Sequence, residues 1–345
     1  MKDKYFKPYI SIGRSEKEAA INVVKSGKLS GFVADQSINF SGGKKVKDFE
    51  KYLRNFYKIK HAITVNSWTS GLIAMVGSLD INPGDEIIVP PWTMSATVAS
   101  ILHWNAIPVF ADIDPKTFCI DPEDIKKKIS SKTRAIFTVD IFGASSDIKK
   151  IKDIIKSKNI KILTDSAQSP YCLRENKIVG TNADAGGYSL NYHKIINTGE
   201  GGIVVTNNDR VAERVKLLRN HAEITNKYNS KRDLSNMIGF NFRMGEIEAA
   251  IGIEQYRKLK KILRRREKIL NLLTKELNNL NGLTLPPISK NFSNNFYVYP
   301  IIINKTKIKI SRKTIIESLI KEGIKGISGG YTNLHLLKMF KKKIA

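Results

Sequence analysis

From about residue 61 to 208, short β-branched runs alternate with stretches whose apolar positions recur at helical spacing. The β-branched runs predict strands at His61–Val65, Glu86–Val89, Pro108–Asp112, Ala135–Asp140 and Ile160–Thr164, with two more at Gly186–Leu190 and Ile203–Thr206. The amphipathic stretches predict helices at Thr69–Leu79, Thr93–Trp104, Pro122–Ser130 and Ile148–Ser157. Punctuation agrees: Asn82-Pro83-Gly84-Asp85 reads as a turn, and Asp121-Pro122 opens a helix. Alternation of this kind implies βαβ units, hence an α/β fold with a mostly parallel central sheet flanked by helices.

The texture changes beyond about Met244. A long helical pattern covers Glu246–Leu277, a turn-rich segment Asn278–Pro287, a strand candidate Asn295–Asn304, and an amphipathic helix Ser311–Glu322. Two domains are therefore expected. A large one spans residues 1–243 and includes an N-terminal segment with a helix near Glu16–Ser26; a smaller α+β lobe spans 244–345.

Composition narrows the class. The chain has 345 residues, 41% of them hydrophobic, which suits an ordinary globular protein large enough for two lobes. No apolar run reaches membrane-spanning length and the N-terminus has no apolar signal core, so a cytoplasmic protein without a membrane partner is expected. Cys119 and Cys172 stand in no metal or redox spacing, which fits a reducing compartment and calls for no metal. The net charge of +26 is spread over runs such as Lys126–Lys128 and Lys258–Arg266, without interleaved stacking aromatics. Solvated helix faces account for it first and attraction of a phosphate-bearing substrate second; a nucleic-acid surface is not expected.

Candidate chemistry centres on Ser189–Gly202, reading SLNYHKIINTGEGG. Lys194 sits between a predicted strand and a glycine-rich turn, the usual presentation of a Schiff-base lysine to a carbonyl cofactor. A desolvated pocket lowers a lysine's pKa enough for such chemistry. With 58 Lys and Arg in the chain, however, a solvated loop lysine is the default for any one taken alone. Partners are needed. Asp165 ends a predicted strand, which in a parallel sheet points a side chain into the ligand crevice. A fixed carboxylate there keeps the ring nitrogen of pyridoxal phosphate protonated. At ~4 Å and an effective dielectric of ~20 the attraction is roughly 4 kcal/mol. Gln168, three residues on, is within reach of the same ligand's ring hydroxyl or else faces solvent. TVNSWTSGL at Thr64–Leu72 runs from strand to helix, so the backbone at Trp68 and Thr69 forms either a phosphate site or a plain helix cap. Ser189 adds a hydroxyl, and Trp92 or Met94 in PPWTMSAT is placed to cover a ring.

These residues resemble the pyridoxal-phosphate-dependent nucleotide-sugar aminotransferases of the DegT/StrS type, within the aspartate aminotransferase superfamily (fold type I). The resemblance runs from about Ile10 to His335. It rests on SGKLSG (Ser26–Gly31), PGDEIIVPPWT (Pro83–Thr93), PVFADID (Pro108–Asp114), TDSAQ (Thr164–Gln168), SLNYHKIINTGEGG and GFNFRMGEIEAAIGIEQ (Gly239–Gln255), in family order. It implies that Lys194 holds the cofactor and shuttles protons, that Asp165 pairs with the ring nitrogen, and that Gln168 meets the ring hydroxyl. Trp68, Thr69 and Ser189 would bind phosphate, and Asn241 would reach it from the neighbouring subunit, making a homodimer with shared sites. His221, Tyr331 and His335 are substrate-side candidates, with hinge or surface roles as their plain alternatives.

Three positions depart from the family pattern. Trp68 replaces a small residue and is expected to bring bulk to the phosphate loop; Met94 replaces a ring-stacking aromatic; Phe32–Gly43 is an extra stretch. The chain stops at Ala345, where relatives continue, so a truncated small lobe is expected. Three functions stay open. Transamination from an amino acid, L-glutamate by analogy, to a nucleotide-linked keto-sugar for amino-sugar and surface-polysaccharide biosynthesis comes first. A sugar dehydratase follows, since dehydrating relatives carry histidine in place of the lysine and His193 is adjacent. A non-catalytic family member is third.

Overall fold

The computed structural model describes residues 9–34, 38–222, 237–287 and 293–342. Within the extra stretch Phe32–Gly43, residues 35–37 lie outside the described residues, as does Ala345. The strands are β1 His61–Val65, β2 Glu86–Val89, β3 Ile107–Phe110, β4 Thr133–Val139, β5 Lys161–Asp165, β6 Leu173–Arg174, β7 Lys177–Ile178, β8 Ala185–Ser189, β9 Gly202–Thr206, β10 Leu283–Thr284 and β11 Ile302–Ile303. The helices are α1 Arg14–Lys25, α2 Lys44–Tyr57, α3 Trp68–Gly77, α4 Ser95–Leu102, α5 Pro122–Lys128, α6 Ile148–Ile154, α7 Asp209–Arg219, α8 Glu246–Leu277, α9 Arg312–Lys321 and α10 Lys338–Lys341.

Seven strands form one sheet in the order β1-β9-β8-β5-β4-β2-β3. β9 runs against both its neighbours and the remaining pairings are parallel. Alternating side chains feed two faces. Ile87, Val89, Phe137 and Leu163 pack with Leu72, Met75 and Leu218 under α3, α4 and α7. On the other face Ile88, Ile136 and Ile162 meet Ile125, Ile148 and Ile151 of α5 and α6. Beside them Tyr188, Ile203 and Val205 meet Phe49 and Leu53 of α2 and Tyr256 of α8. The result is a three-layered α/β architecture with a mostly parallel central sheet, as the strand pattern implies.

A buried ion pair ties the layers together. Arg219 at the end of α7, fully buried, donates through Nη1 to Glu50 Oε1 of α2 at 2.6 Å and to the Thr64 carbonyl of β1 at 2.9 Å. Glu50 also accepts from the Thr64 N–H and hydroxyl, so helix, strand and helix share one polar node.

Parts of the structure differ from the sequence expectation. The Asn295–Asn304 run forms a strand only at β11, paired in a two-stranded ribbon with β10. Phe296 takes a positive φ of 45° and Pro300 has no N–H to donate, so the run cannot enter a ladder as a whole. Helices α2 and α7 and the β6–β7 hairpin were not among the predicted elements. Among the described residues, no helix is long and apolar enough to cross a membrane.

The C-terminal segment folds back over the end of β2 and the start of α4. Leu334 is buried in the core under α3 and α4, and its N–H donates to the Pro91 carbonyl at 2.9 Å. Tyr331, just before it, is thereby carried to the C-terminal edge of the sheet.

Candidate active site

The site lies where β5 and β8 end side by side with the start of α3. Asp165, the last residue of β5, is 5% exposed and accepts three hydrogen bonds. Trp68 Nε1 donates to Oδ1 at 2.7 Å, the Ala167 N–H to the same oxygen at 3.1 Å, and the Thr97 hydroxyl to Oδ2 at 2.7 Å. A carboxylate offers about four lone-pair sites, so Oδ2 keeps one for a further donor.

Lys194 is presented by the turn after β8. The Leu190 N–H donates to the Gly201 carbonyl at 2.9 Å and the Thr198 N–H to the Leu190 carbonyl at 3.0 Å, closing the loop at its base. Gly199 (φ 88°) and Gly201 (φ 151°) take conformations that side chains rarely adopt, which is why the turn is glycine-rich. Ile195 and Ile196 anchor it in the core beside Tyr188. The lysine is half-buried, and its Nζ lies 4.6 Å from the centroid of the Tyr297 ring. Burial lowers its pKa from the ordinary lysine value, and the nearby Asp165 charge offsets part of that fall. His193 is exposed and its ring packs edge-on against Tyr192 at 4.9 Å. Its pKa is also lowered, by partial burial and then by the Lys194 charge.

The start of α3 forms a cradle of open backbone N–H groups. Ser67 caps the helix by accepting from the Ser70 N–H at 3.1 Å, and the first intrahelical bond is Gly71 N to the Ser67 carbonyl. The N–H groups of Trp68 and Thr69 therefore have no acceptor within the helix, and Thr69 is exposed. Gly202, between Val65 and Ser189 in the sheet register, lies against this loop: a Cβ there would stand 2.8 Å from the Trp68 Cα. Ser189, nearly buried, thus ends β8 next to the cradle. The Trp68 side chain does not crowd the loop as its bulk suggested. Its indole turns into the core with Leu72 and Val204.

Gln168 is buried and doubly held. Its Oε1 accepts the Phe142 N–H at 2.6 Å, and its Nε2 donates to the Tyr331 hydroxyl at 2.9 Å. Tyr331 stacks on Phe142 (5.9 Å) and meets Trp92 edge-on (6.3 Å), forming an aromatic wall. Burial raises the pKa of both Tyr331 and Tyr297, the latter to about 12, so both stay protonated. Met94 caps α4 and is 57% exposed.

The remaining candidates lie further out. Asn241 is exposed, with its Oδ1 held by Arg243 Nε at 2.9 Å, while its carbonyl accepts from Asn66 just before the cradle at 3.3 Å. His221 bonds Arg243 at 3.2 Å, and the His335 ring lies against Phe110; neither has a described contact with Asp165, Gln168 or Lys194. Thr97 and Tyr297 are site residues that the sequence reading did not name. Thr97 had a signal, lying four residues after Thr93 in the helix-opening PPWTMSAT; Tyr297 had none.

The residues fit pyridoxal phosphate: a free lone pair on a fixed carboxylate for a protonated ring nitrogen, a desolvated amine for the carbonyl, and open N–H groups for the phosphate. Known proteins agree. The model of the DegT/DnrJ/EryC1/StrS aminotransferase family matches residues 32–345. GDP-perosamine synthase of Caulobacter vibrioides is 32% identical over 285 residues, covering 82% of this chain and 76% of that protein. The structure of Helicobacter pylori PseC, an aminotransferase involved in the biosynthesis of pseudoaminic acid, superposes with a TM-score of 0.85 at 29% identity, covering 96% of this chain and 85% of that one. A GDP-4-keto-6-deoxymannose-3-dehydratase with a trapped PLP-glutamate geminal diamine is also similar, at a TM-score of 0.84 and 26% identity, covering 94% and 86%. The chain belongs to the DegT/DnrJ/EryC1/StrS aminotransferase family and is a pyridoxal-phosphate-dependent enzyme.

Proposed function

We propose that this enzyme moves an amino group from an amino acid, L-glutamate, to the keto group of a nucleotide-linked sugar, in the cytoplasm, as a homodimer with shared sites. The observation that carries the reading is the desolvated Lys194 amine beside the triply bonded Asp165 carboxylate. When bound, pyridoxal phosphate supplies an electron sink for the pair left at the donor's α-carbon. Lys194 Nζ, deprotonated more readily because of burial, takes the proton from that α-carbon. In the second half of the exchange it delivers one to the sugar carbon that becomes amine-bearing. Asp165 would hold the cofactor's ring nitrogen, Gln168 would orient the ring hydroxyl, and the α3 cradle with Ser189 would hold the phosphate. The Trp92–Tyr331–Phe142 wall excludes water from one side. Asn241, exposed beside the cradle's approach, is suited to reach a partner subunit's phosphate.

The dehydratase reading has a structural relative in its favour, yet Lys194 is the residue electrostatically coupled to Asp165, while His193 packs on Tyr192. The test is a half-reaction. The protein reconstituted with pyridoxal phosphate should lose its visible band on addition of L-glutamate, then regain it with one member of a panel of nucleotide keto-sugars. A band that persists with glutamate would rule out this donor; sugar dehydration without amine transfer would favour the dehydratase.

A further inference from the structure

Trp68 is the first residue of α3, and its indole turns towards the sheet into a slot bordered by Gly71 and Gly187. A Cβ at Gly187 would stand 2.4 Å from Trp68 Cη2, and one at Gly71 would stand 2.8 Å from its Cε3. A Cβ at Gly202 would meet the Trp68 backbone at 2.8 Å. Such approaches are too close for real carbons, so the indole fits only beside glycine at positions 71 and 187, while Gly202 lets the helix start approach β9. In this slot the ring places Nε1 2.7 Å from Asp165 Oδ1.

An indole N–H only donates, and a bond from it to a carboxylate is of the stronger, charge-assisted kind. With the Ala167 N–H on the same oxygen and the Thr97 hydroxyl on Oδ2, the carboxylate cannot rotate without breaking a buried bond. Core filling alone would not require the donor to meet the acceptor at this distance. We propose that Trp68 is a positioning residue: its indole N–H locks the Asp165 carboxylate so that the remaining Oδ2 lone pair meets the cofactor's protonated ring nitrogen. The inference rests on the reading of the chain as a pyridoxal-phosphate enzyme.

The test compares two cofactors in two proteins. Trp68→Phe keeps an aromatic ring in the slot and removes the donor. Its affinity for pyridoxal phosphate should fall about tenfold, the worth of a buried hydrogen bond to a charged group. Its affinity for 1-deazapyridoxal phosphate, which has carbon in place of the ring nitrogen, should match that of the unmodified protein. Equal losses for both cofactors, or no loss for either, would overturn the proposal by reducing Trp68 to a space-filler. If the unmodified protein takes up neither cofactor, the enzyme reading itself fails instead.

Should Trp68→Phe not fold, the unmodified protein still decides. Its indole N–H resonances, assigned with Trp92→Phe and Trp104→Phe, should show the Trp68 signal shifting with pyridoxal phosphate and markedly less with the deaza analogue. Identical shifts with both would contradict the proposal.

Discussion

Asp165 is held by three hydrogen bonds and the Trp68 ring beside it is buried, whereas along the second half of α8 Ile269 and Leu272 stand more than half in solvent. Helix α9 buries no residue at all, and Ile320 beside Ile324 is more than half exposed. The two regions differ in what they must do. A carboxylate that has to meet one ring nitrogen needs donors on fixed elements, and dense packing fixes them. The residues after α8 contribute two tyrosines to the site. Tyr297 faces the lysine and Tyr331 holds Gln168.

Substitutions in the two regions should therefore diverge, and the largest effect belongs to the crevice. Lys194→Ala should lower the amino-transfer rate by about 10³-fold or more, the upper range for removing a positioned acid–base group. Its melting temperature should stay unchanged or rise, because a desolvated charge is removed. A rate within tenfold of the unmodified enzyme would break the comparison. Next comes the polar node behind the sheet. Glu50→Ala leaves Arg219 buried without its partner and should cost about 3–5 kcal/mol in a denaturant titration. Gly187→Ala pushes a methyl group against the Trp68 ring and the Ile203 carbonyl, and should cost about 1–3 kcal/mol by the same measurement. Leu272→Ala, at a position 60% exposed, should stay within about 0.5 kcal/mol. A large loss there would mean that the outer face of α8 is covered in solution.

The pH response sharpens the crevice side. Burial lowers the Lys194 pKa and the Asp165 charge raises it again in part. The apoprotein's rate of capturing pyridoxal phosphate on Lys194 should fall as pH drops through that lowered value. Asp165→Asn removes the offset, so the acid limb should move to lower pH. A shift to higher pH would show that the two groups are not coupled as described.

Much of this was legible beforehand because the signals are local. The sheet strands come from β-branched runs bounded by turns, and β1 and β2 fall where they were predicted. Lys194 and Asp165 sit at strand ends, and strand ends of one sheet share a crevice. What was not legible is held from a distance. Helix α2 starts at Gly43 with no side-chain cap; its first N–H groups, at Lys45 and Val46, donate to Glu246 of α8 at 2.7 and 3.2 Å. Its apolar period at Val46, Phe49, Leu53 and Tyr57 was present in the sequence, but the stop and start signals were not. The Trp68 side chain was misread for a similar reason. Its slot depends on Gly71 and Gly187, which come together only when α3 packs on β8. Tyr297 reaches Lys194 from an irregular segment tied to α8 by Arg266, a contact with no local trace.

If Lys194, and no neighbour, takes the cofactor, borohydride reduction of the protein reconstituted with pyridoxal phosphate, followed by peptide mapping, should give a single reduced pyridoxyl label on Lys194. A cofactor that stays dialysable after reduction, or a label confined to another lysine, would exclude that role.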